Sequence, residues 1–125
     1  MAREHGADYV FTEPSGIVIP FELRNAIAAA GRDVRLHTGP VVLLLNAADA
    51  ESAFAEHLVH VTRQQVEQSD LVALTKADAA PEGAVEYLEG MVRALTHTAP
   101  LHVVSLLSGR GVSALVDTVF AGSIT

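Results

Sequence analysis

Cysteine is absent from the 125 residues, and so is tryptophan. Without thiols there is no disulfide framework, no cysteine nucleophile and no cysteine-ligated zinc. Lysine occurs once, at Lys76, and the 8 basic residues face 15 acidic ones, for a formal charge of −7. Neutralising a phosphate backbone needs clustered Lys and Arg, so this balance argues against a nucleic-acid partner. Long apolar runs are missing too: nothing approaches the roughly 20 residues that span a bilayer. Met1-Ala2-Arg3-Glu4-His5 lacks the apolar core of a signal peptide. The resulting expectation is a soluble cytoplasmic chain with no membrane partner. Half the residues are hydrophobic and 18% charged, which excludes intrinsic disorder. A chain of this length buries roughly two thirds of its unfolded surface and fits one unit, 1–125, with no linker or repeat.

Four apolar stretches alternate with four segments of helical character. The stretches are Asp8–Thr12, Val41–Leu45, Asp70–Thr75 and Leu101–Ser105. Their unbroken apolar character, without in-out alternation, is that of strands covered on both faces. Between them, Phe21–Ala30 carries Phe21, Leu23, Ala26 and Ile27 at helical spacing and stops at Gly31. Ala50–Gln68 gathers Phe54, Leu58, Val61 and Val66 on one face. Pro81–Leu95 opens with Pro81-Glu82 as a first turn, and Gly111–Phe120 repeats Val112, Leu115, Val116 and Val119. The order βαβαβαβα predicts a three-layer α/β fold with a mainly parallel sheet of about four strands. Open parallel sheets bind ligands beyond the carboxyl ends of their strands. That rule singles out Glu13–Gly16, Asn46–Asp49, Thr75–Asp78 and Ser105–Gly111.

Thr75-Lys76-Ala77-Asp78 directly follows an apolar strand. A lysine there can lay its stem along a planar base, and a carboxylate can accept two parallel bonds from N1–H and the 2-amino group of guanine. Adenine lacks that edge and would leave the carboxylate unpaired. The same residues also suit a helix cap followed by a solvated lysine. In Ser105-Leu106-Leu107-Ser108-Gly109-Arg110-Gly111, backbone amides can donate to a base carbonyl and the glycines permit positive φ; an ordinary strand-to-helix turn capped by Ser108 fits as well. Gly109, Gly111 and Ala114 match G-x-G-x-x-A, but no further strand and ribose-binding acid follow. Glu13-Pro14-Ser15-Gly16 puts a carboxylate and a glycine at a strand tip, where a nucleotide-binding sheet holds a magnesium-linked water and meets the terminal phosphate. A plain turn set by Pro14 fits equally.

Glu13-Pro14-Ser15-Gly16, then Gln65-x-x-Gln68-Ser69-Asp70-Leu71-Val72-Ala73-Leu74-Thr75-Lys76-Ala77-Asp78, then Val104-Ser105-Leu106-Leu107-Ser108-Gly109-Arg110-Gly111, occur in an order and spacing that resembles the CobW/HypB/UreG family of P-loop GTPases. Members act as metallochaperones or in cofactor-protein maturation. The resemblance runs from about Ala7 to Phe120. It implies a doubly wound α/β fold, GTP or GDP with Mg2+ as ligand, and a metalloprotein client. Thr75, Lys76 and Asp78 would form the guanine motif, with Ser105 and Leu106 supporting the base from the opposite loop. Glu13 would be the acidic residue of the Walker B strand, and Gly16 would approach the terminal phosphate.

A P-loop needs Gly-Lys-Ser/Thr, and the sole lysine is followed by Ala77. The family's front portion would precede Met1, making this the rear part of such a GTPase. Thr75 stands where asparagine is usual, which weakens loop bracing, and Asn46 where aspartate is usual, which bears on the metal or switch region. Phosphate and magnesium contacts supply most of the stabilisation for hydrolysis. The expectation is therefore weak guanine-nucleotide binding without intrinsic hydrolysis, and an unpaired strand edge that invites self-association or a P-loop-bearing partner. Alternatives are a non-catalytic interaction module, half of a split GTPase completed by another chain, or an interrupted gene. Among the histidines, His57 and His60 sit three apart on an expected helix without a third ligand, so no metal site is assigned. His37, His97 and His102 read as surface residues and His5 as part of a fraying terminus. Pro14-Ser15-Gly16 is not the G-x-S-x-G of a serine hydrolase.

Overall fold

The computed structural model describes residues 8–14, 16–31 and 37–123. His5 and Ser15, both weighed above, lie outside them. Among the described residues, five helices surround a parallel sheet of three strands in the order β1-β2-β3: β1 is Val42–Asn46, β2 Leu71–Thr75 and β3 Leu101–Val103. In chain order the helices are α1 (Pro20–Ala30), α2 (Ala50–Ala53), α3 (Val59–Gln68), α4 (Ala84–Leu95) and α5 (Val112–Ser123).

The register aligns Leu43, Val72 and Leu101 across the sheet, and Leu45, Leu74 and Val103 two positions on. These rows form one sheet face and pack against Val66 of α3 and Leu88 and Val92 of α4. Burying each such side chain contributes about 1.5–3 kcal/mol. Central strand β2 is covered on both sides, since Leu71 to Leu74 are all buried, as its unbroken apolar run requires. The opposite face carries the row Leu44, Ala73 and His102. Ala73 is wholly buried there, whereas Leu44 on β1 is 60% exposed. Among the described residues β1 ends the sheet.

Asp8–Thr12, expected as the first strand, takes no part in the sheet. Tyr9 and Phe11 instead meet Phe120 of α5 edge-on, with ring centroids 5.3 and 6.4 Å apart. A strand needs a ladder partner for its backbone groups, and this segment packs its aromatic rings on α5 instead of lining a strand edge. The expected helix Ala50–Gln68 is broken in two. The Thr62 hydroxyl donates to Ala53 O at the end of α2, and Leu58 N–H donates to Ala55 O at 2.8 Å. The chain thereby turns back through Phe54–Leu58 before α3 begins. Pro81 and Glu82 precede α4 instead of forming its first turn, because Gly83 adopts φ 82° as the N-cap. That left-handed step suits glycine and redirects the chain into the helix.

Candidate functional site

The carboxyl end of β2 turns sharply. Lys76 has φ 56° and ψ 39° and is the only non-glycine residue with positive φ among the described residues. A left-handed conformation in a side-chain-bearing residue costs about 1–2 kcal/mol, and such strain concentrates at functional sites. Neighbouring bonds hold it: Val104 N–H donates to Leu74 O at 2.8 Å, Ala77 N–H to Val104 O at 3.2 Å, and Ala79 N–H to Lys76 O at 3.0 Å. The strained step swings the chain out of β2 into a single 3-10 turn, Ala77–Ala79, which carries Asp78 toward the loop after β3.

Ser105 meets it there. Its hydroxyl donates to Asp78 Oδ1 at 2.7 Å and accepts Ser108 N–H at 3.2 Å. Ser105 is 1% exposed while Asp78 is exposed, so a buried hydroxyl fixes a carboxylate that faces outward. Oδ2 has no hydrogen-bond partner among the described residues, and neither does the exposed Lys76 ammonium. The loop closes on itself through Gly109 N–H to Ser105 O and Ser105 N–H to Arg110 O, both 2.9 Å. It leaves Leu106 and Leu107 84% and 86% exposed. Gly111 pins the far end: at φ 73°, a Cβ there would lie 2.1 Å from Val103 O. Only glycine fits. Thr75 donates its hydroxyl to Leu45 O at 3.2 Å, so it braces β2 to β1. The structure thus brings together Thr75, Lys76, Asp78, Ser105 and Leu106 from two strand tips.

Glu13 and Gly16 lie apart from this cluster. Glu13 is exposed and makes no hydrogen bond or ion pair among the described residues. Gly16 lines a groove of about 240 Å³ beside β1, together with Leu44, Asn46, Asp49 and Gln65. Asn46 accepts Ala48 N–H at 2.9 Å and so caps the turn after β1.

Three polar residues at the end of α3, quoted above only as part of a motif, prove to be clamps. Gln65 Nε2 donates to Gly16 O at 2.7 Å and to Val18 O at 3.1 Å. Gln68 Oε1 accepts Phe21 N–H at 2.9 Å, which satisfies one of the open donors at the start of α1. Asp70 Oδ2 accepts Val41 N–H at 2.6 Å and pairs with Arg24 at 3.0 Å. Polar side chains closing an amphipathic helix were the available signal, but their partners lie 29 to 49 residues away.

The histidines call for two corrections. His102 is not a surface residue: it sits in β3, and its buried Nε2 has no hydrogen-bond partner among the described residues. His57 falls in the turn before α3, so it does not share a helical face with His60. No group of three or more His, Cys, Asp or Glu able to hold a metal occurs among the described residues.

The donor set fits a planar base better than a nucleotide's phosphates. Asp78 Oδ2 and the amides of Leu106 and Leu107 at the strand tips have no hydrogen-bond partner among the described residues, and no acidic cluster able to hold a metal occurs among those residues. A parallel sheet with such a pair of loops at its carboxyl end is an incomplete α/β domain of the P-loop NTPase type. Within that class, the model of the CobW/HypB/UreG nucleotide-binding domain matches residues 1–103 of the 125, and the chain belongs to this family. No curated protein and no solved structure matches it. No helix among the described residues is long and apolar enough to cross a membrane.

Proposed function

We propose that this chain binds a guanine nucleotide as the base-holding part of a CobW/HypB/UreG-type GTPase serving metal insertion or cofactor-protein maturation in the cytoplasm. The observation that carries the reading is the 2.7 Å bond from buried Ser105 to Asp78. A carboxylate held in place before the ligand arrives loses little entropy on pairing with N1–H and the 2-amino group. Lys76 covers the ring face, and Leu106 offers its amide to the ring carbonyl. Glu13 and Gly16 would serve the magnesium and terminal-phosphate end. With no lysine for the outer phosphates, the chain alone binds weakly and does not hydrolyse GTP.

The test is titration of the purified chain with a fluorescent GDP analogue, with and without Mg2+, against ADP and Asp78→Ala. Guanine-selective binding that Asp78→Ala abolishes is the expected result. Equal binding of ADP, or no binding at millimolar nucleotide by folded protein, sinks the reading. Phosphate release abolished by Asp78→Ala would contradict the inactivity.

A second reading, half of a split GTPase completed by another chain, is favoured by β1. Its outer edge has no strand partner among the described residues, and Leu44 and the groove beside it are open. Such an edge can accept a further strand. Mixing with a chain that carries Gly-Lys-Ser/Thr should raise GDP affinity and start hydrolysis; no change in either rejects this version.

A further inference from the structure

A second groove runs between the turn after β1 and the segment that leads into α4. Its volume is about 550 Å³, and Asp49, Glu51, Pro81, Glu82 and Tyr87 line it. Both walls are seated on the core: Ala50 is buried in the cluster that holds Leu88, and Ala84 packs against that cluster. Tyr87 N–H donates to Gly83 O at 2.9 Å in the first turn of α4, and its side chain stays 45% exposed. Asp49 is oriented by the Ser52 hydroxyl, which donates to its Oδ2 at 2.7 Å. Glu51 and Glu82 are exposed, and the one ion pair among the described residues joins Arg24 to Asp70, outside the groove. No Lys, Arg or His lines it. Three carboxylates and an aromatic ring therefore share a groove with no cation of the chain's own among them. The carboxylates do not form a group able to hold a metal.

We propose that this groove is a docking surface for an arginine-bearing segment of a partner protein. A guanidinium is planar and weakly hydrated, stacks on an aromatic ring and pairs with carboxylates through two parallel bonds. Its aliphatic stem suits the alanines and proline that share the lining. An ammonium matches the charge but lacks the flat face. A second copy of the chain fits less well, because each copy carries a formal charge of −7 and repels the other. The proposal is independent of the guanine reading, which uses none of these residues.

The experiment is an NMR titration of the whole chain at low salt, following the amides of residues 48–51 and 82–87. The probes are an acetylated, amidated Gly-Arg-Arg-Gly peptide, its lysine and citrulline versions, and spermidine. The arginine peptide should shift these amides and bind about threefold tighter than the lysine peptide, while neutral citrulline should not bind. Tyr87→Leu should bring arginine and lysine level. Glu51→Gln with Glu82→Gln should weaken the arginine peptide by about threefold or more. Glu22→Gln with Glu67→Gln, an equal change of charge outside the groove, should leave it nearly unaltered. Equal losses from the two pairs, shifts spread over the chain's other carboxylates, or lysine or spermidine binding as tightly as arginine would each overturn the proposal. So would shifts of residues 48–51 and 82–87 that follow protein concentration without peptide, since the occupant would then be a second copy. If Tyr87→Leu misfolds, the arginine-over-lysine preference of the unsubstituted chain still decides.

Discussion

The two ends of this sheet are built differently. At the tips of β2 and β3 the chain is tied closely to itself: Ser105 makes four hydrogen bonds by side chain and backbone, and Gly111 sits against Val103 O where no side chain fits. Beside β1 the arrangement is open. Leu44 is 60% exposed, and Gly16 is held chiefly by one glutamine. The closed end joins segments 27 residues apart at Asp78 and Ser105 that are adjacent in the sheet. The open end joins segments far apart in sequence across an edge that has no further described strand. Rigidity here follows from where hydrogen-bond partners are supplied, and the base-holding half carries its own.

The sharpest way to break the contrast is to make one substitution at both ends. In Gly111→Ala the new Cβ would meet Val103 O at 2.1 Å on a backbone with φ 73°. Backbone must shift, and a loss of about 3 kcal/mol or more is expected. Thermal melting should show a fall of about ten degrees or more. In Gly16→Ala the added Cβ meets nothing within 4 Å, so stability should stay within about 0.5 kcal/mol. Equal effects at the two positions would erase the distinction between a closed and an open end.

A smaller effect separates the ends by dynamics. Gln65→Ala removes two donors, to Gly16 O and Val18 O. One bond is exposed and the other half-buried, so global stability should fall by about 1 kcal/mol. Hydrogen exchange should rise for residues 16–20 and stay unchanged for residues 105–112. Exchange that rises equally in both segments would mean that the two ends open as one unit.

How much of this was legible beforehand depended on where the partners lie. The strands β1, β2 and β3 and the helices after β2 and β3 were readable because their apolar runs are local and continuous, and Lys76, Asp78 and Ser105 were singled out by their positions at the ends of those runs. Asp8–Thr12 has the same local character, yet it is not a strand, because pairing depends on a neighbour that no local pattern encodes. The break at Phe54–Leu58 escaped the periodicity for a similar reason: it turns on Thr62 reaching back to Ala53 O. Gln65 and Gln68 carried no apolar signal at all, and their roles exist only across 47 to 49 residues of separation.

The smallest expected effect on stability concerns β1 itself and has its main readout elsewhere. Leu44 projects from an uncharged edge strand, Val42-Leu43-Leu44-Leu45-Asn46, which has no Lys, Pro or bulge to discourage another strand. Because Leu44 is already 60% exposed, Leu44→Lys forfeits little burial and should change the melting free energy by about 0.5 kcal/mol or less. It should, however, place a charge where an incoming strand would pack. If the edge mediates self-association, light scattering across a concentration series should show the substituted chain staying monomeric where the unsubstituted one gains mass. If both remain monomeric, the edge needs no protection in solution, and the openness of this end reflects the backbone geometry of β1 without a tendency to pair. If Leu44→Lys unfolds the chain instead, Leu44 supports the fold far more than its exposure indicates, and the comparison between the two ends loses its structural basis.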